Sequence, residues 1–280
     1  MSEETKVSKN RLHGLWALTN RDLKKWYQNP IVFIIGIVQP ILWLALLGKA
    51  MNISAIIPTG IPGISSAAIM QKTFGTADYF SFMAMGMVAF TTVFTTAFVG
   101  ISVVFDRRLG FLNKVLSTPV SRSVIILSKV LSASIRSVFQ AGIVTAIAFL
   151  LGLQLGVNFT IFSIFGVFAI VFLIGFGLSS MFTAITLRTT RMETPQAIFN
   201  LVTLPLMFAS SAYFPIENMP NWLQVIANAN PISYTIDAIR RLMIFGDGYS
   251  KLPLDFAFVG IFALVVTAIC VMLSWRFLNK

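Results

Sequence analysis

Acidic side chains are scarce in this 280-residue chain: ten Asp and Glu stand against 21 Lys and Arg, a formal net charge of +11. They are also scattered, which leaves no paired carboxylates for acid–base chemistry. There is one cysteine, Cys270, and one histidine, His13. A lone thiol excludes an intrachain disulfide, and His13, with no second His or Cys near it, reads as a surface residue rather than a metal ligand. HExxH, CxxC and GxSxG patterns are missing. So is the GxxxxGK[S/T] loop that cradles phosphates, and the chain is therefore not expected to bind and hydrolyse ATP in the usual way by itself. Charge of either sign is thin, at 11% of residues, which excludes an ordinary soluble domain.

What fills the chain instead is apolar, with 56% hydrophobic residues. A hydrocarbon core of ~30 Å takes ~20 helical residues to cross. Six apolar runs are candidates, at about 31–47, 80–104, 122–151, 159–187, 196–212 and 256–277. The reading is an all-α integral membrane protein: six transmembrane helices, an N-terminal interfacial helix, and short re-entrant or interfacial helices before the last span. Residues 1–29 form the cytoplasmic tail and interfacial helix. Residues 30–280 form the transmembrane domain, with a cytoplasmic element at 105–122 and an extracytoplasmic helical segment at 213–246. The polar opening, SEETKVSKNRLHG, carries no cleavable signal pattern. The basic residues fall in the gaps between apolar runs, so they set orientation rather than bind nucleic acid. Sixteen of the 21 lie on one side, leaving Lys49, Lys72, Arg240, Arg241 and Lys251 on the other. Both termini are therefore expected in the cytoplasm of a multi-pass protein of the cell (inner or plasma) membrane.

Along the chain, residues 6–29 alternate basic residues with Leu12, Leu15, Trp16, Leu23, Trp26 and Tyr27, as an interfacial helix does. Pro40 falls inside the first span beside Gln39 and predicts a kink. Thr91, Thr92, Thr95 and Thr96 are expected to bond back to carbonyls of their own helix. The charged stretch 105–122 cannot lie in lipid; it reads as a short helix from Leu109 to Leu116, ended by Ser117-Thr118-Pro119. Ser121 is placed to cap the next helix. That helix, 122–151, is long enough that Lys129 and Arg136 should project toward water, Arg136 by snorkelling. Gly166, Gly175 and Gly177 mark close helix contacts in the fourth span. Residues 210–246 read as two short helices, the second lining up Ile232, Ile236, Ile239 and Met243. The spans lack buried Asp or Glu, so the energy source for any transport should lie in another chain. Candidate transmembrane polar contacts are Gln39, Arg136, Gln140 and Asn200.

Two stretches carry a resemblance, FDRRLGFLNKVLSTPVSR from Phe105 and FPIENMPNWLQVIANANPISYTIDAIRRL from Phe214, supported by RDLKKWYQNPIVFIIGIVQPILW from Arg21. The whole chain resembles the membrane subunit of a type-2 ATP-binding-cassette (ABC) exporter, of the daunorubicin-exporter, drug-resistance kind. The resemblance implies a permease without a cofactor of its own. It also implies two copies of a separate ABC ATPase that bind ATP and Mg, a second permease chain in a homodimer or heterodimer, and contact with membrane lipid. By the same resemblance the 105–122 element is a coupling helix seated on the ATPase, through Asp106, Arg107, Gly110, Leu112 and Pro119. Asn113-Lys114 stands where relatives often carry an acid, so those contacts differ in detail. Export of a hydrophobic or amphiphilic solute, drug or lipid-like, is the leading expectation. Export of a lipid-linked polysaccharide, or a structural or regulatory role without transport, are the alternatives.

Overall fold

A computed structural model describes residues 11–49, 66–76, 78–118, 120–189, 191, 193–245 and 249–277. Among them every regular element is helical. The order is α1 (Arg11–Tyr27), α2 (Pro30–Trp43) continuing as a π-helical turn (Leu44–Lys49), α3 (Ser66–Phe74), α4 (Tyr79–Arg108), α5 (Phe111–Leu116), α6 (Arg122–Leu150), α7 (Ile161–Thr186), α8 (Glu193–Phe208), a 3-10 turn (Ile216–Asn218), α9 (Asn221–Ala229), α10 (Pro231–Met243) and α11 (Leu252–Phe277). Of the described helices, α4, α6, α7 and α11 are long and apolar enough to cross a membrane; α2 and α8, the expected first and fifth spans, are shorter. Pro40 sits within α2, where it removes the bond back to the Gly36 carbonyl, and the π-helical turn begins four residues beyond it.

Helix α7 is the hub, packed against α4, α6, α10 and α11. Its glycines make this possible. A methyl at Gly166 would come within 2.9 Å of Leu242, and one at Gly177 within 2.8 Å of Phe262; Gly175 lies against Ser137 of α6. Helix α4 is buried on all sides from Tyr79 to Val93, as a helix apolar all round must be. It starts where the Asp78 carboxylate accepts from the N–H groups of Phe80 (3.3 Å) and Ser81 (3.0 Å). The four threonines of α4 each donate to a carbonyl one turn back, as expected.

The 210–246 segment forms the two short helices expected, and they differ in setting. Helix α9 suits the interfacial alternative, with Trp222, Val225 and Ile226 all exposed. Helix α10 is instead covered by protein: its Ile232, Ile236, Ile239 and Met243 are at most 1% exposed, packed into the core against α4, α7 and α11. Asn230 joins the two helices. Its Oδ1 accepts from the Ile232 N–H (3.0 Å), and its Nδ2 donates to the α8-end carbonyls of Leu206 (2.6 Å) and Ala209 (2.7 Å). Asn230→Ala is expected to cost about 2–4 kcal/mol, from a lost cap and two orphaned carbonyls. Asn230→Ser, which keeps the capping oxygen, should recover about 1 kcal/mol of this. Thermal unfolding of the detergent-solubilised protein reads both.

Candidate functional site

The knuckle between α4 and α6 begins inside α4, which runs on through Asp106 and Arg107 to Arg108. The short helix starts later than expected, at Phe111, because Leu109 and Gly110 make the turn. Gly110 takes φ +71°, a left-handed conformation that a side chain would strain, and it stands clear of neighbours. At this apex Leu109 is 75% exposed, and Arg108, Gly110 and Lys114 are exposed beside it. Below the apex, Leu112 is only 4% exposed and joins Val115, Ile125, Ile126, Val130, Leu187 and Cys270 in a small apolar core. The proposed contact residues therefore divide: Gly110 faces out, Arg107 is half-buried, Leu112 and Asp106 face in. Pro119 lies outside the described residues. Ser121 occupies the N-cap of α6 through its backbone, and its side chain makes no capping bond.

Under the knuckle lies a cluster of ions on three helices. Lys129 of α6 is 5% exposed and does not reach water as expected; its Nζ donates to Asp106 Oδ2 of α4 (2.6 Å) and to Asp22 Oδ2 of α1 (3.1 Å). Asp106 Oδ1 also faces Lys25 (3.3 Å) and Arg21 (3.5 Å), and Arg21 bonds Asp22 (3.2 Å). The Arg21 guanidinium then lies over the Phe111 ring of α5, 3.3 Å from its centre. The physical reason for the inward turn is pairing: a buried ammonium is tolerated when two carboxylates satisfy it. The expectation that the spans lack buried acids is corrected here for Asp106, and for Asp255 at the start of α11, which is 3% exposed and lies 3.7 Å from Arg241. Asp22 has no place in the sequence reading. Its signal was available, since it is the sole acid between Glu4 and Asp78.

A second feature lies deeper. A cavity of about 290 Å³ opens between α2, α4 and α6. Gln39, Arg136 and Gln140 all line it, together with Thr91 and Thr95 on an otherwise aromatic wall of Trp26, Trp43, Phe90, Phe94 and Phe98. Gln140 Oε1 meets the Thr95 hydroxyl. Gly36 makes room for the Gln140 amide, into which a methyl would run. Asn200 does not belong to this group; it is exposed on α8. Arg136 is half-buried, and rather than reaching past the helix end it bonds its own helix, Nε to the Ser132 carbonyl (3.2 Å). An arginine near the bilayer centre costs roughly 2.5–3.5 kcal/mol on insertion scales unless it faces protein or a polar cavity. Facing this cavity meets that condition.

The ABC-2 type transporter family model matches residues 13–244, from α1 through α10. The chain belongs to that family. It is similar to ycf38 of Cyanophora paradoxa, which carries the name of a transport permease: the two are 33% identical over 233 residues, 82% of this chain and 74% of the relative. It is also similar to the daunorubicin resistance ABC transporter permease protein DrrB1 of Streptomyces coeruleorubidus, 26% identical over 168 residues, covering 60% of this chain and 59% of the relative. This is a multi-pass membrane protein and a transport subunit whose family works with an ABC ATPase.

Proposed function

We propose that the chain is the permease of an ATP-driven exporter that moves a hydrophobic or amphiphilic solute, drug or lipid-like, out of the cell. Two copies of a separate ABC ATPase, which bind the ATP and Mg, drive it, and a second permease chain completes the pathway as a homodimer or heterodimer. Both termini lie in the cytoplasm of the cell membrane, which puts the knuckle on the ATPase side. The observation that carries the reading is the division of the knuckle into an exposed apex and a buried root. The apex around Leu109 is what a cleft in an ATPase would grip. The root is tied by Lys129 to α1, α4 and α6 together, so a push on the apex moves several helices rather than one loop.

Leu109→Asp is expected to lower the ATPase recovered in a pull-down by tenfold or more while leaving the thermal transition of the permease unchanged. Leu112→Ala acts at the root and should instead cost about 2–4 kcal/mol of stability, as a buried leucine truncation does. Full ATPase recovery with Leu109→Asp would sink the docking role of the apex.

A further inference from the structure

The cavity between α2, α4 and α6 carries chemistry that docking on an ATPase does not use. Its polar groups are few and gathered at one place: the Arg136 guanidinium, the amides of Gln39 and Gln140, and the Thr91 and Thr95 hydroxyls. Thr91 donates to Met87, and Thr95 is engaged with Thr91 and Gln140. Arg136 is different. Only its Nε has an acceptor, the Ser132 carbonyl, and its terminal nitrogens have no hydrogen-bond partner among the described residues. The acid whose charge acts on it is Asp22, which is already held by Lys129 and Arg21. The two acids here, Asp22 and Asp106, meet the cations Arg21, Lys25 and Lys129 before Arg136 is counted. The neighbourhood therefore carries a surplus of positive charge, with planar donors turned to an apolar space.

The space does not end at α2. A groove of about 460 Å³ runs along the outer side of that helix, lined by Ile34, Ile35, Val38, Leu42 and Leu46 among others, and it shares Ile35, Gln39 and Trp43 with the cavity. Its lining is almost wholly apolar, and Ile34, Ile35, Leu42 and Leu46 are all more than half exposed. A largely aromatic pocket holding an unmatched cation thus opens onto an apolar, exposed track along α2. One kind of molecule matches both halves.

We propose that this site binds an anionic amphiphile, its carboxylate or phosphate on Arg136 and its apolar body passing Gln39 and Trp43 into the groove along α2. The exporter reading supplies the reason for such a site, and the inference rests on it in that respect. The anion comes either from a free amphiphilic solute or from a phospholipid headgroup.

Binding is testable on the isolated permease in phosphatidylcholine nanodiscs, with no ATPase present, so it succeeds or fails separately from the pull-down. Trp43 and Trp26 line the cavity, and bromine quenches tryptophan fluorescence at short range. The probes are 9,10-dibromostearate and its neutral methyl ester. The unmodified protein should be half-quenched at a roughly tenfold lower concentration of the anion than of the ester, as a charge-assisted contact implies. Arg136→Lys should keep the preference and Arg136→Gln should lose it. Ile35→Phe, which narrows the junction of cavity and groove on an exposed position, should weaken the anionic probe with Arg136 intact and guards against a misfolded charge variant. Dibrominated phosphatidylglycerol against dibrominated phosphatidylcholine asks the same question of a lipid headgroup. A preference for the fatty acid alone identifies a solute site, and a preference for phosphatidylglycerol identifies a lipid site. Equal quenching by anionic and neutral probes in the unmodified protein, or a preference that survives Arg136→Gln, overturns the proposal.

Discussion

Lys129→Met is expected to destabilise the permease by about 3–5 kcal/mol, the range found when one partner of a buried ion pair is removed, and to abolish solute-stimulated ATP hydrolysis in the assembled complex. The reason is geometric. The Lys129 ammonium is the shared counter-ion of Asp106 (2.6 Å) and Asp22 (3.1 Å), each buried. Without it the two carboxylates keep only Arg21 and Lys25, at 3.2–3.5 Å, and the Lys25 side chain is 56% exposed and screened by water. Helix α6 would lose its ionic link to both α1 and α4 at the level of the knuckle, keeping to α1 the bond from the Thr19 hydroxyl to the Ser128 carbonyl (3.4 Å). A triple variant, Asp22→Asn with Asp106→Asn and Lys129→Met, removes the stranded charges and should recover more than half of the lost stability. It should not recover coupling, because the ion pairs that tie the three helices are gone. Thermal unfolding and ATPase assays on the two variants separate these effects. A Lys129→Met protein within about 1 kcal/mol of the parent would show that the cluster is screened like a surface pair.

Much of the fold was legible because it is written in local terms. The break at Ser117 to Pro119 and the apolar run after it placed α6 within a residue of its observed end at Leu150. The spacing of four, three and four in α10 named the four side chains that are buried there, and the glycines of α7 marked its closest neighbours. What spacing cannot supply is what α10 packs against, so the sequence leaves it interfacial or re-entrant, and only the structure shows it in the core. The ion cluster was hidden for a related reason. Lys129 and Asp22 are 107 positions apart, so each reads alone as a charge seeking water, and only the packing of α1 on α6 reveals the pair. In the sequence Gln39, Arg136, Gln140 and Asn200 stand out only as polar residues in apolar runs; that the first three share one cavity, and that Asn200 does not, is tertiary information.

The same contrast explains how a short charged element can act on distant helices. The helix α5 has six residues and little stability of its own. It is held through Leu112 and Val115 in the small core and through Phe111 under the Arg21 guanidinium. Its position is thus a property of α1, α4 and α6 together, and so is the response when it is pushed. The cavity is walled by α2, α4 and α6, and Trp26 of α1 lies at it. If the knuckle moves as the proposed coupling requires, the walls of the cavity should change with it, since α4 and α6 belong to both.

At the other end of the chain's polar network, Arg240→Met is expected to cost about 3–5 kcal/mol, comparable to the loss of Lys129 although among the described residues it pairs with no acid at contact distance. Arg240 is 1% exposed on α10. Its Nε donates to the Phe82 carbonyl (3.1 Å), its Nη1 to Ser211 (2.7 Å) and its Nη2 to Ala212 (3.0 Å), and its guanidinium lies 3.4 Å from the centre of the Phe82 ring. Burial pulls its pKa down to about 9, opposed by the nearby charge of Asp237, so it remains a cation at neutral pH. The side chain pins α10, the start of α4 and the turn after α8 to one another. Methionine fills much of the volume but leaves the carbonyls of Ser211 and Ala212 without their donor, at about 1–3 kcal/mol for each group left unsatisfied. Arg240→Lys separates charge from shape: a single ammonium cannot span the fork of acceptors, so it should recover less than half of the loss. If lysine restored full stability in thermal unfolding, the cation alone would matter and the pinning geometry would not. If Arg240→Met left both stability and transport intact, the segment between α8 and α11 would be held by its apolar packing rather than by the arginine.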